Sequence, residues 1–271
     1  MQSRSPQICR PKDAESPVTS RRAFLAWMAA GSAVLTGCGA NDELLQNPGG
    51  GSARLSARPS TPATPVDSGT YALTDNNPND GALVVPAGVA PGVPRPLLIV
   101  LHGAGQGAVA ALNFWRPSAQ ARGCLLLAPG ARGLTWDVMS YRFSYDVTFI
   151  NSALLFAFSR CAVDTTRIVL EGFSDGGTYA MGLGLANGDL FTRIVGNSSG
   201  YIPRSDSPAT GKSQFFLTHG RQDGILNIDR CSRAITSTLR NRGYDVTLAE
   251  FDGGHELPAA VVNQSLDWAL R

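Results

Sequence analysis

EGFSDGGTYA, residues 171–180, is the stretch on which the reading of this chain turns. Gly172-Phe173-Ser174-Asp175-Gly176 sets a serine between two glycines, the spacing of a tight strand-to-helix turn that projects a hydroxyl from the edge of a sheet. The same spacing recurs at Gly196-Asn197-Ser198-Ser199-Gly200, so the pattern alone does not choose. Context does. Arg167-Ile168-Val169-Leu170 ahead of Ser174 is a short apolar run, and the stretch from Thr178 to Leu185 can form a helix. Ser198 also follows an apolar run, but Tyr201-Ile202-Pro203 and the polar stretch to Gly211 cannot begin a helix at once. Ser174 is the candidate nucleophile. Flanking glycines avoid a Cβ clash in the turn, and the N-terminus of the following helix favours developing negative charge.

Outward from this turn, apolar runs alternate with helical stretches. Residues 97–101, 124–128, 167–170, 191–195, 215–218 and 246–251 read as strands, mostly continuous runs of the kind buried on both faces. Tyr71–Thr74 and Ala82–Pro86 are an expected antiparallel start. Helices are expected over 148–160, 179–185 and 228–242, and the strand-helix-strand order predicts a three-layer α/β sandwich with a mostly parallel sheet. Ligands of such sheets bind beyond the carboxyl ends of the strands. All three histidines follow predicted strands: His102 after Leu101, His219 after Thr218, and His255 shortly after Phe251.

A serine hydroxyl needs a base within hydrogen-bond reach, itself oriented by a carboxylate. His255 is the candidate base, in a Gly253-Gly254 loop able to carry an imidazole over the sheet edge, and Asp223 is the first carboxylate after its strand. Asp229, its competitor, is expected in the first turn of the next helix. His102 and His219 each stand beside a glycine and are expected to shape loops. Backbone amides of Asp175 and of Ala104 or Gly105, in His102-Gly103-Ala104-Gly105, are the candidate donors to an oxyanion. The aromatic stretch holding Trp136 and Tyr141, with His102, is expected to wall a pocket.

Composition and termini limit what surrounds this site. The 271 residues, 43% hydrophobic and 16% charged, are enough for a substantial core. Residues 1–37 hold five basic against two acidic residues and the rest is near balance, which excludes the basic stripe of a nucleic-acid binder. Ser20-Arg21-Arg22-Ala23-Phe24-Leu25 looks like a twin-arginine export signal, and the charge-free run of 15 residues from Ala23 to Gly37 is short for a membrane span. Leu35-Thr36-Gly37-Cys38 has the form of a lipoprotein box, so the chain is expected to be exported and anchored to the bacterial cell envelope through a lipid on Cys38. Residues 1–38 are thus read as a signal, 39–68 as a disordered tether rich in Pro, Gly and Ser, and 69–271 as the folded domain. Of Cys124, Cys161 and Cys231, at most one pair can bridge; Cys124 with Cys161 is the expected pair, with three buried thiols as the alternative. No cysteine or histidine spacing suggests a metal.

From Leu97 to Trp268 the set LHGAGQ, GFSDGG, HGRQDG and GGH resembles the α/β-hydrolase superfamily, in its carboxylesterase/phospholipase and polyhydroxybutyrate-depolymerase-like esterase branches. The resemblance implies a Ser174, Asp223, His255 triad, turnover through an acyl-enzyme, an ester substrate and no cofactor. About 19 residues separate the Val195 and Phe215 strands, too few for a large lid domain, so an open site suited to short-chain, accessible polymer or phenolic esters is expected. A peptidase or amidase on the same fold is one alternative, and a non-catalytic surface lipoprotein that uses the fold for binding is another.

Overall fold

The computed structural model describes residues 50–62, 65–75, 77–88, 90–139 and 142–271. Eight strands form one sheet: β1 (Gly69–Ala72), β2 (Gly81–Val85), β3 (Arg95–Leu101), β4 (Leu125–Pro129), β5 (Val163–Phe173), β6 (Arg193–Asn197), β7 (Gln214–Gly220) and β8 (Val246–Phe251). Their order is β1-β2-β4-β3-β5-β6-β7-β8. The β1–β2 and β2–β4 pairings are antiparallel and every other pairing is parallel, as the apolar runs predict. The helices are α1 (Ala108–Ala121), α2 (Tyr145–Arg160), α3 (Asp175–Ala186), α4 (Ala234–Asn241, entered through a π turn at Asp229–Arg233) and α5 (Ala259–Ala269).

Strand periodicity assigns side chains to two apolar layers. Leu97, Ile99 and Leu101 of β3 join one core with α2, α3 and α4, whereas Leu98 and Val100 join the other with α1 and α5. The result is the expected three-layer sandwich. Between β6 and β7 the connection, residues 198–213, carries no helix, so no large lid covers this edge of the sheet.

Two expectations are corrected. Residues 50–58, assigned to the tether, are part of the folded body: Ala53, Leu55 and Ala57 are buried in the α2/α3 core while Ser52, Arg54 and Ser56 alternate outward. Asn187 receives the Leu55 amide on Oδ1 at 2.8 Å and donates Nδ2 to the Ala53 carbonyl at 2.7 Å, and Asn151 Oδ1 receives the amides of Ser56 and Ala57, both at 2.8 Å. Arg54 pairs with Asp189 through both terminal nitrogens at 2.6 Å. The flanking Gly and Pro runs mask a period-2 segment, Ser52-Ala53-Arg54-Leu55-Ser56-Ala57, that side-chain amides capture without sheet pairing. Second, Cys124 and Cys161 are free thiols. They sit in opposite apolar layers, so the sheet separates them, and burial pushes each thiol up to about 11. Residues 1–49, with the export signal and Cys38, lie outside the described residues.

Candidate active site

The carboxyl ends of β3, β5, β6, β7 and β8 converge on one edge. Ser174 stands between the last residue of β5 and the first of α3 with φ 55° and ψ −116°, a left-handed conformation that costs a residue with a Cβ about 1–3 kcal/mol. Neighbouring glycines make it possible. A Cβ on Gly172 would collide with the carbonyl oxygen of Gly176, and one on Gly176 with that of Leu101. The Ser174 amide is fixed to the carbonyl of Asn197 on β6 at 2.9 Å. Ser198 has the same unusual backbone sign, with φ 48°, but continues into coil; it is buried and its Oγ has no hydrogen-bond partner.

Ser174, His255 and Asp223 are brought together. Ser174 Oγ lies 2.8 Å from His255 Nε2, and His255 Nδ1 lies 2.7 Å from Asp223 Oδ2. Only about a tenth of Ser174 is exposed, and the Asp223 carboxylate is fully enclosed. Asp223 Oδ1 receives the amides of Ile225 and Leu226 at 2.9 and 2.8 Å. Burial alone would raise this carboxyl, but donors from His219, His255 and Leu226 outweigh it and hold it well below the ordinary carboxylate range. An ionised carboxylate on Nδ1 fixes the tautomer that leaves Nε2 free to take the serine proton. Asp229 instead pairs with Arg233 at 2.6 Å in the π turn, as expected of an acid near a helix start.

The two candidate oxyanion loops differ in what their amides do. Gly105, with φ 66°, donates its amide to Leu134 O at 3.2 Å, which removes it as a donor to substrate. Ala104 makes no such bond, so it and Asp175, at the first position of α3, are the amides left at this edge. The Asp175 side chain accepts from Thr135 Oγ1 at 2.6 Å; burial raises its carboxyl. These bonds tie the 131–137 loop to both sides of Ser174, a connection that the sequence did not signal.

His102 and Trp136 do not wall a pocket. His102 is 2% exposed, donates Nδ1–H to the Gly103 carbonyl at 2.9 Å and accepts the Ala131 amide on Nε2 at 3.0 Å, so the ring is held neutral between two loops, and burial lowers its pKa further. Trp136 is fully buried and donates Nε1–H to His102 O at 2.8 Å. Both were misread because aromatic residues beside a catalytic loop pack as often as they line it. Tyr141 lies outside the described residues. Exposed apolar side chains at this edge are instead Leu134, next to Thr135, and Ile225, next to Leu226. Among the described residues no group of acidic, histidine or cysteine side chains could hold a metal, and no helix is long and apolar enough to cross a membrane.

Residues 148–267 match the phospholipase/carboxylesterase family. A bifunctional acetylxylan esterase/xylanase, XynS20E of Neocallimastix patriciarum, is 26% identical over 152 residues, which is 52% of this chain but 21% of that protein. The chain therefore spans about a fifth of that curated relative. Among solved structures, esterase PE8 superposes with a TM-score of 0.53 at 19% identity over 70% of this chain and 96% of its own. The Bacillus cereus carboxylesterase does so with a TM-score of 0.53 at 20% identity over 65% and 87%. At that identity the likeness is one of fold. The chain has the α/β-hydrolase fold, and its residues 148–267, which include Ser174, Asp223 and His255, match the phospholipase/carboxylesterase family.

Proposed function

We propose that this chain hydrolyses short-chain carboxylic esters through an acyl-enzyme on Ser174. The observation that carries the reading is the unbroken line from Ser174 Oγ to His255 Nε2 and from His255 Nδ1 to Asp223 Oδ2. Ser174 Oγ attacks the ester carbonyl carbon as its proton passes to His255 Nε2. The carbonyl oxygen, now negative, is met by the amides of Ala104 and Asp175, and losing one such donor costs about 3 kcal/mol in the transition state. Collapse of the adduct transfers the proton from His255 to the leaving alcohol. Water, deprotonated by the same nitrogen, then attacks the acyl-enzyme and releases the carboxylic acid.

The substrate class rests on two further supports. The edge carries no large lid, which suits esters presented on a bulky or polymeric alcohol, and the fungal relative is named an acetylxylan esterase. Acetyl and other short acyl groups on an accessible alcohol are therefore the class that fits. We further propose that the chain acts outside the cytoplasm, exported by its twin-arginine signal and held to the envelope by a lipid on Cys38. The test is a p-nitrophenyl ester series from acetate to palmitate with Ser174→Ala and Ser198→Ala beside the parent. Activity greatest on short acyl chains and abolished in Ser174→Ala alone is the expected result; activity surviving that change sinks the assignment.

A further inference from the structure

His219 lies one position before the end of β7, fully buried, and the hydrolytic steps above make no use of it. We propose that His219 is a positioning residue of the site, a second imidazole that holds the Asp223 carboxylate in line with His255. The inference rests on the esterase reading and adds to it a fourth side chain behind the triad.

His219 Nε2 lies 2.7 Å from Leu226 O and 3.2 Å from Asp223 Oδ2. Both are acceptors, so Nε2 carries a proton; it donates to Leu226 O, with the Asp223 carboxylate close beside it. On the other side of the ring, Nδ1 is 2.7 Å from Ser232 Oγ; in the neutral ring it accepts the hydroxyl proton. Ser232 is itself fully buried, and it sits in the π turn at Asp229–Arg233, a local widening of helical winding that recurs at functional sites. A buried histidine with no further task would be satisfied by Leu226 O and Ser232 Oγ alone. The contact to Asp223 is additional.

Leu226 ties the arrangement together, because its carbonyl accepts from His219 while its amide donates to Asp223 Oδ1. Asp223 consequently has the His255 imidazole hydrogen-bonded to Oδ2, the His219 imidazole 3.2 Å from the same oxygen, and two amide donors on Oδ1. Three hydrogen bonds and the neighbouring His219 ring leave the carboxylate no freedom to rotate. Charges on adjoining elements are occupied elsewhere. Glu250, in register with His219 on β8, is paired with Arg221 and Arg233; Asp229 is paired with Arg233, and Asp252 with Arg221.

The experiment compares the full chain with His219→Leu, His219→Gln and Ser232→Ala, recording kcat and KM on p-nitrophenyl acetate across about pH 5 to 9. Burst amplitude counts the folded sites. In His219→Leu we expect kcat to fall by about tenfold to a hundredfold, the range of a hydrogen bond to a charged group, with KM nearly unchanged. His219→Gln, whose side-chain amide can donate from the place of Nε2, should restore most of kcat. If His219→Leu does not fold, Ser232→Ala loosens the ring without touching Asp223 and should show the same signs at smaller size.

The low-field proton resonance of His255 Nδ1–H is read without turnover. It should move in His219→Leu and return in His219→Gln, even in a preparation inactive on every ester tried, which separates a wrong substrate from a wrong role for His219. A folded His219→Leu protein with parental kcat and resonance would make this a packing residue. Equal losses in the Leu and Gln variants would overturn the proposal as well.

Discussion

Ser174 occupies a backbone conformation that side-chain-bearing residues avoid, and two glycines are what make it tenable. Gly176→Ala should therefore remove activity about as completely as Ser174→Ala, with a loss of stability that urea denaturation detects, because the added methyl meets the Leu101 carbonyl and the elbow must shift. Asp223→Asn should lower kcat by about three to four orders of magnitude while the protein still folds, since the amide cannot hold the His255 tautomer. A third prediction concerns Glu171, fully buried on β5, whose Oε1 accepts from Asn197 Nδ2 at 3.0 Å and Ser265 Oγ at 3.2 Å. Burial pushes this carboxyl from 4.5 up to about 7. Between those values the native state keeps a proton that the unfolded chain has lost, so stability falls as pH rises through the window and stays low above it. Glu171→Gln should abolish that slope and stabilise by about 3 kcal/mol at alkaline pH, as read from urea midpoints across the same range. The same side chain is coupled to the elbow, because the carbonyl of Asn197 receives the Ser174 amide.

At the scale of elements, legibility followed chemistry that sequence displays openly. Continuous apolar runs placed the central strands within a few residues, and the residues following β5, β7 and β8 hold Ser174, Asp223 and His255 on one edge. Helices α1 and α5 were not anticipated. Neither has a side-chain cap, an acid in its first turn or a base in its last, and α1 carries Pro117 in its interior. They form because their apolar faces complete the layer opposite α2, α3 and α4, a tertiary cause with no local signature. The π turn before α4 was equally hidden, since the stretch 228–242 reads as one helix. The packed segment 50–58 did carry a signal, its alternation, overridden by the Gly and Pro runs around it. It makes a sharp prediction: Leu55→Ala should cost about 2–4 kcal/mol in urea unfolding, and a chain begun at Gly69 should lose at least as much.

For the whole molecule, the consequence of this architecture is access. Enzymes that shield the nucleophile with a mobile cap need an interface to open it, and their rate climbs abruptly when a sparingly soluble ester passes its solubility limit. Here the 198–213 connection has no helix to serve as a cap, and Leu134 and Ile225 present apolar surface at the edge already. Hydrolysis of a short triglyceride such as tributyrin should therefore saturate smoothly below the solubility limit and show no jump on crossing it. The reading is checked by measuring initial rates in a pH-stat through that limit with the parent and Ser174→Ala. A discontinuity of severalfold, absent from a soluble ester run in parallel, would mean that the 131–137 loop, which carries Leu134, closes over Ser174 in water. Smooth saturation instead means that selection among esters is made by acyl length and by what the alcohol presents, not by gating.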